Sequence, residues 1–217
     1  MSRACAITLA SEMTVDELHA LKDIIQTKSL KGKHLEIGTA AGGTLCKMIE
    51  AATHRPPFVV VDTMRYFSNQ RQIVINNLKQ NGLPAENVDI REMTSADAWQ
   101  KSQKQREIFD FILVDGSHKF RYVIQDLRWA GLLCSGGVLA LHDYSSRLEG
   151  VQLAADLFLR RNENFKKISL TDTLLLIEKK ASGTKQEVKL LPDFLAALFQ
   201  AFLQLRQNIR KSTSHKI

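Results

Sequence analysis

The sequence predicts a doubly wound, mostly parallel α/β sheet that ends in an antiparallel hairpin and is flanked by helices. Three observations carry this expectation. Short apolar runs alternate with segments of helical period, a glycine-rich turn joins the first run to the helix after it, and the last two runs are too close together for a crossover.

In chain order, residues 14–25 read as a helix with a capping-box start, Thr14 followed three residues later by Glu17, and with Leu18, Leu21 and Ile25 on one face. This helix is placed to cover a cofactor pocket. Strands are expected at residues 34–37, 58–61, 88–90, 109–114 and 138–141, where short runs are apolar and several are rich in Val and Ile. Helices are expected between them at 43–52, 69–81 and 122–133, and again at 148–161. Residues 167–170 and 174–177 are separated only by Thr171, Asp172 and Thr173, so they must pair antiparallel. After a linker at 181–184, Pro192 precedes a helix at 193–207 in which Phe194, Leu195, Leu198, Phe199, Phe202 and Leu205 form a broad apolar stripe. Docking of that stripe on the body or on a second copy of the chain, giving a homo-oligomer, is favoured over membrane contact because its polar face lacks a dense basic pattern.

The 217 residues, 44% hydrophobic and 24% charged, suit one domain: a helical lid at 14–29, a core at 30–180, and a C-terminal helix with a basic tail at 185–217. The first residues lack a signal-peptide pattern and no apolar stretch would span a bilayer, so a cytoplasmic protein is expected. Cys5, Cys46 and Cys134 are odd in number and widely spaced, which suggests free thiols. The net charge of +7 lies in short runs such as Arg160-Arg161 and Lys179-Lys180 without interleaved aromatics, so it reads as solvated surface and not as a nucleic-acid site.

The chemistry-bearing residues fall into two stretches. The first runs from His34 to Thr44, where Gly38 and Gly42 permit a left-handed backbone and close approach to a ligand, and Glu36 stands just before the turn. Asp62 closes the second strand, where an acid can accept hydrogen bonds from ribose hydroxyls. The Gly-x-x-x-Gly spacing departs from the dinucleotide pattern, and Glu36 would repel a pyrophosphate but suit the cationic end of S-adenosylmethionine. The stretch resembles class I S-adenosylmethionine-dependent methyltransferases. That resemblance implies their fold and also places Ser95, after the third strand, near the adenine; as an alternative, Ser95 caps the helix after it.

The second stretch comprises Asp115-Gly-Ser-His118, then Tyr122, Asp126 and Trp129, then His142-Asp143. It resembles the subgroup of macrocin-type sugar O-methyltransferases and cephalosporin-hydroxylase-like proteins. The resemblance implies a small-molecule acceptor, a divalent metal at Asp115, His142 and Asp143, and a general base at His118, with Asp115 also beside the cofactor. Asp115 and Asp143 fall at the carboxyl ends of strands expected to be neighbours, about 4.8 Å apart, so their carboxylates could share one ion. Oxygen ligands suit Mg²⁺. His142 stands where the subgroup often has an acid, and imidazole favours softer divalent ions. An NAD-dependent oxidoreductase and a non-catalytic cofactor-binding or scaffold protein of the same fold are the alternatives.

Overall fold

The computed structural model describes residues 11–28, 30–54, 56–181 and 187–214, with side chains to residue 208. Cys5, most of the 181–184 linker and the end of the basic tail lie outside the described residues.

Seven strands form one sheet: β1 (Lys33–Ile37), β2 (Phe58–Asp62), β3 (Val88–Glu92), β4 (Phe109–Val114), β5 (Leu133–Leu141), β6 (Phe165–Thr171) and β7 (Leu174–Lys179). Their order is β3-β2-β1-β4-β5-β7-β6. The first five are parallel, while β7 pairs antiparallel with both β5 and β6. The doubly wound sheet and the closing hairpin are therefore as the sequence implies, and Asp172 turns the hairpin with φ +48°.

Alternation along the strands feeds two cores. Leu35, Ile37, Ile112 and Val114 face one side, packed by α4 (Ser95–Lys104), α5 (Phe120–Asp126) and α6 (Glu149–Arg161). Phe58, Val60, Phe111 and Leu113 face the other, packed by α1 (Val15–Thr27), α2 (Gly43–Ala51) and α3 (Gln70–Gln80). Each large side chain removed from water contributes about 1.5–3 kcal/mol, so strands apolar on both faces need helices on both. The helix expected over 122–133 starts earlier, at Phe120, and tightens after Asp126 into a 3₁₀ segment, Leu127–Leu132, that buries Trp129 completely.

The N-terminal helix has the expected capping box. Its Leu21 and Ile25 are buried against the α2 side of the sheet. The C-terminal helix, α7 (Asp193–Ser214), runs past the expected residue 207 and docks on the body along one edge of its stripe. It docks through Ala196 and Leu203, both buried, and through Phe199, whose ring lies 4.8 Å from that of Phe120. Phe194, Leu198, Phe202 and Leu205 face outward, because only one edge of the broad stripe meets α5. No helix among the described residues is long and apolar enough to cross a membrane.

On β3, Arg91 is buried and bonded to Glu107, which stands just ahead of β4 and also receives Lys33 at 2.5 Å. The Arg91 hydrogen bonds hold the Glu107 carboxyl down at about 2. His34 has no such help. It is wholly buried between the edges of Phe58 and Phe111, and neither ring nitrogen has a partner. Burial pushes its pKa to about 4, against the opposing charge of Asp110.

The unfolded His34 titrates near 6.5, so between pH 6.5 and about 4 the unfolded chain binds more protons than the native one, and stability falls as pH drops through that window. His34→Leu removes this loss. Urea titrations at pH 7 and 4.5 should show the variant losing about 2–3 kcal/mol less stability on acidification than the unaltered protein.

Candidate active site at the carboxyl edge

Because β1, β2, β4 and β5 run parallel, their carboxyl ends share one edge, and the order reverses between β1 and β4. Ligands of open α/β sheets bind at such a switch point. A cavity of about 890 Å³ opens there.

The turn after β1 shapes its floor. Gly38 (φ +83°), Ala40 (φ +43°) and Gly42 (φ +86°) curl the chain into the start of α2. The space beside Gly38 is taken by the β4 end: a Cβ there would lie 2.3 Å from the Asp115 carbonyl oxygen. Gly38 is thus required for close packing of two strand ends, and it also lines the cavity. Gly42 does not line it; its open side faces Val74, and it serves as the left-handed cap of α2.

Glu36 lines the cavity and is 1% exposed, with its Oε2 lacking a partner. Burial raises its pKa well above the carboxylate range, and the charges of Asp115 and Asp62 add to the rise. A cationic group brought into the cavity would relieve both effects. Asp62 is held differently: its two oxygens accept the backbone N–H groups of Thr39 (3.0 Å) and Met64 (2.6 Å). That fixes the carboxylate at the cavity wall and leaves further lone pairs for a ligand's hydroxyls.

Ser95 also lines the cavity, but it does not cap α4; Thr94 does, its hydroxyl accepting the Asp97 N–H at 3.2 Å. Ser95 Oγ instead accepts from the Trp129 indole at 2.9 Å. Asp126 is a buried wall residue. Burial raises its pKa to about 7, with the Ser95 hydrogen bond opposing.

The histidines stand on the β4 and β5 ends. His118, half exposed, lines the cavity, and its Nε2 is 2.6 Å from Asp143 Oδ2. Asp143 is its hydrogen-bond partner, and that bond raises the His118 pKa. Asp143 reaches it from a strained backbone, φ +64°, of the kind that collects at functional sites. His142 is buried; its Nδ1 lies 2.9 Å from Asp115 Oδ1 and 3.5 Å from Asp143 Oδ2. Burial lowers its pKa, but the hydrogen bond to Asp115 and the charges of Asp115, Asp143 and Glu17 outweigh this and carry it to about 9. Asp115, His142 and Asp143 offer ligand atoms all within 4.8 Å of one another, which suits one ion.

Two features escaped sequence reasoning. Glu17, which the capping box explained locally, is buried and reaches His142 Nε2 at 3.3 Å. Ser11 and Glu12, just before α1, line the cavity in place of the helix itself, and Ser11 is tied to Thr44 by a 2.8 Å hydrogen bond. No local signal in the sequence marks either long-range contact.

The profile of a methyltransferase domain family matches residues 35–144, which span the whole edge from Glu36 to Asp143. No curated protein is significantly similar to the chain. Among solved structures, cofactor-bound Rv0187 from MTB superposes with a TM-score of 0.66 at 14% identity, covering 82% of this chain and 85% of that one. An O-methyltransferase from Bacillus cereus in complex with SAH gives 0.65 at 17%, covering 79% and 84%. The O-methyltransferase TomG from Streptomyces achromogenes, in complex with SAM, gives 0.56 at 16%, covering 80% and 82%. At these identities the likeness is one of fold.

Gly38→Ala tests the packing role of the turn. Strain and the clash with the Asp115 carbonyl together should destabilise by about 2–5 kcal/mol. Gly82→Ala, at φ +68° with open space around it, should lose only about 1–2 kcal/mol in the same urea titration.

Proposed function

The chain belongs to the methyltransferase domain family, and from that premise we propose that it transfers a methyl group from S-adenosylmethionine to a hydroxyl oxygen of a small molecule, assisted by a divalent cation. The observation that carries this reading is that His118, held at 2.6 Å by Asp143, opens onto the same cavity as Glu36 and Asp62. A cofactor pocket and a base with its orienting acid are thereby joined in one space.

S-adenosylmethionine supplies an electrophilic methyl group when bound. The residues present fit it. Asp62, braced by two amides, would accept the ribose hydroxyls. Glu36, buried with an orphan oxygen, would face the cationic amino-acid end, where a positive charge returns it to the carboxylate form. Gly38 closes the floor, Ser95 and Asp126 line the cavity, where Ser95 would stand near the adenine, and Gly42 acts only by turning the chain. Tyr66, Phe67 and Tyr122 line the same cavity, with Tyr66 and Tyr122 well exposed, and would contact the acceptor.

Displacement at a methyl carbon needs an aligned, nucleophilic oxygen. With Nε2 bonded to Asp143, His118 would accept the hydroxyl proton at its other ring nitrogen, Nδ1, while Asp143 steadies the ring and the imidazolium that results. Asp115, His142 and Asp143 would hold a divalent cation, which would lower the pKa of the acceptor hydroxyl and fix its direction. Oxygen donors from two acids agree with Mg²⁺, and the imidazole widens the choice toward softer ions. The chain acts in this reading as one domain, with Ser11 and Glu12, just before the N-terminal helix, at the pocket.

Two measurements separate the halves of the site. Asp62→Ala should weaken S-adenosylmethionine binding in isothermal titration by about 1.5–3 kcal/mol per lost charge-assisted hydrogen bond; unchanged affinity in a folded variant removes Asp62 from the ribose site. His118→Ala should leave that affinity in place and lower turnover, measured as SAH formed with a hydroxylated acceptor, by about 10²–10⁴-fold. Chelation should depress turnover in the same way, and turnover that survives both treatments defeats the base-and-metal mechanism.

A further inference from the structure

A glutamate in a capping box needs only the helix's own N-terminus, and on a surface helix it would be exposed. Glu17 is 1% exposed. Its Oε2 accepts the Thr14 N–H at 2.8 Å, as the capping box requires, and the same oxygen lies 3.3 Å from His142 Nε2. Its Oε1 accepts both the Thr173 N–H (2.8 Å) and the Thr173 hydroxyl (2.7 Å) from the β6–β7 turn. One buried carboxylate therefore joins the N-terminal helix, the hairpin turn and the end of β5.

The contact with His142 does more than satisfy a hydrogen-bond donor. With Nε2 directed at Glu17, the ring has one orientation, and Nδ1 points at Asp115 Oδ1 (2.9 Å) and Asp143 Oδ2 (3.5 Å). Neighbouring ligands of an octahedral ion held at about 2.0–2.2 Å stand about 3 Å apart, so these separations, at which Nδ1 and Asp115 are hydrogen-bonded, also suit ligands around one cation. A ligating histidine commonly donates its other N–H to a carboxylate, which fixes the tautomer and makes the imidazole a better donor.

We propose that Glu17 is the positioning residue of a divalent-cation site formed by Asp115, His142 and Asp143. It holds the His142 proton on Nε2 and turns the Nδ1 lone pair toward the cation. The inference rests on the metal half of the function proposed above, and it adds that the N-terminal helix is a working part of the site.

The test is binding of Co²⁺ alone to the full chain, followed by calorimetry and by the visible absorption of the bound ion, with no acceptor or turnover involved. The unaltered protein should bind Co²⁺, and Asp143→Asn should weaken the binding. Glu17→Gln, which keeps the shape and one acceptor oxygen but removes the charge, should weaken it about 10–100-fold and change the spectrum. In a His142→Asn background no imidazole remains to orient, so adding Glu17→Gln should alter affinity by no more than about twofold, the scatter of independent substitutions. Asp172→Gly serves as the structural control: it removes the 2.7 Å tie from the Thr14 hydroxyl to the hairpin turn, at a position whose φ of +48° glycine accepts. Its Co²⁺ affinity should match the unaltered protein's.

If Glu17→Gln binds Co²⁺ as the unaltered protein does, Glu17 has no positioning role, and the metal site stands without it. If its effect is as large in the His142→Asn background, or is reproduced by Asp172→Gly, Glu17 acts only as a structural tie and the inference fails. If the unaltered protein binds no Co²⁺, or Asp143→Asn binds it equally well, the metal half of the proposed function falls and this inference falls with it.

Discussion

The close approach of two loops at the carboxyl edge of the sheet is the constraint on which the site depends. Where β1 ends, the chain must turn back into α2 while passing against the end of β4, and Gly38 meets the Asp115 carbonyl at a distance that no side chain allows. The backbone bonds Gly38 N–H to Val61 carbonyl and Asp115 N–H to Ile37 carbonyl, at 2.9 and 2.8 Å, hold three strand ends in register. Glu36, Asp62 and Asp115 face one cavity only because these ends are knit together. The strands supply direction, and the packing of their ends supplies convergence.

Convergence concentrates negative charge. Six acids, Glu12, Glu36, Asp62, Asp115, Asp126 and Asp143, stand at or beside the cavity of a chain whose net charge is +7, with Arg65 also on its lining. The basic excess lies elsewhere, on runs such as Arg160-Arg161 and Lys179-Lys180. Acids crowded in this way raise one another's proton affinity unless cations lie among them; at Glu36 the charges of Asp115 and Asp62 add to a rise that burial dominates. The two histidines answer part of that demand: His118 against Asp143, and His142 among Asp115, Asp143 and Glu17. A ligand bearing a sulfonium and an ammonium, and a divalent ion, would answer the rest. This shared electrostatic demand ties the cofactor half of the site to the metal half.

What the sequence made legible was whatever local pattern controls. The parallel strands, the antiparallel hairpin forced by a short connection, the capping box at Thr14 and the strand-end acids are all written in spacings of a few residues. The same patterns misled where a distant partner decides. Thr94, one residue earlier, caps α4, so Ser95 was free to bond Trp129. The partner of His118, Asp143, comes from the end of the next strand, and tertiary packing is what buries Asp126 at the cavity, neither of which a local spacing encodes. The apolar stripe of α7 implied docking, and the helix docks on the body, but periodicity gives the breadth of a face and not the breadth of the surface it meets; α5 covers only one edge.

His142 shows how such a distant partner can complete a local departure. Where the related subgroup places an acid, this chain has a neutral or cationic ring, so the three residues facing a bound cation would carry one negative charge fewer. Glu17, 125 positions away in sequence, sets a buried carboxylate directly behind that ring. The assembly of Asp115, Asp143, His142 and Glu17 then has three acids again, with the third acting through imidazole. A carboxylate there strengthens the ring as a donor while keeping its own charge one residue away from the cation. It also makes the N-terminal helix part of the site's electrostatics, since displacing α1 would remove both the orientation of His142 and the charge that balances it.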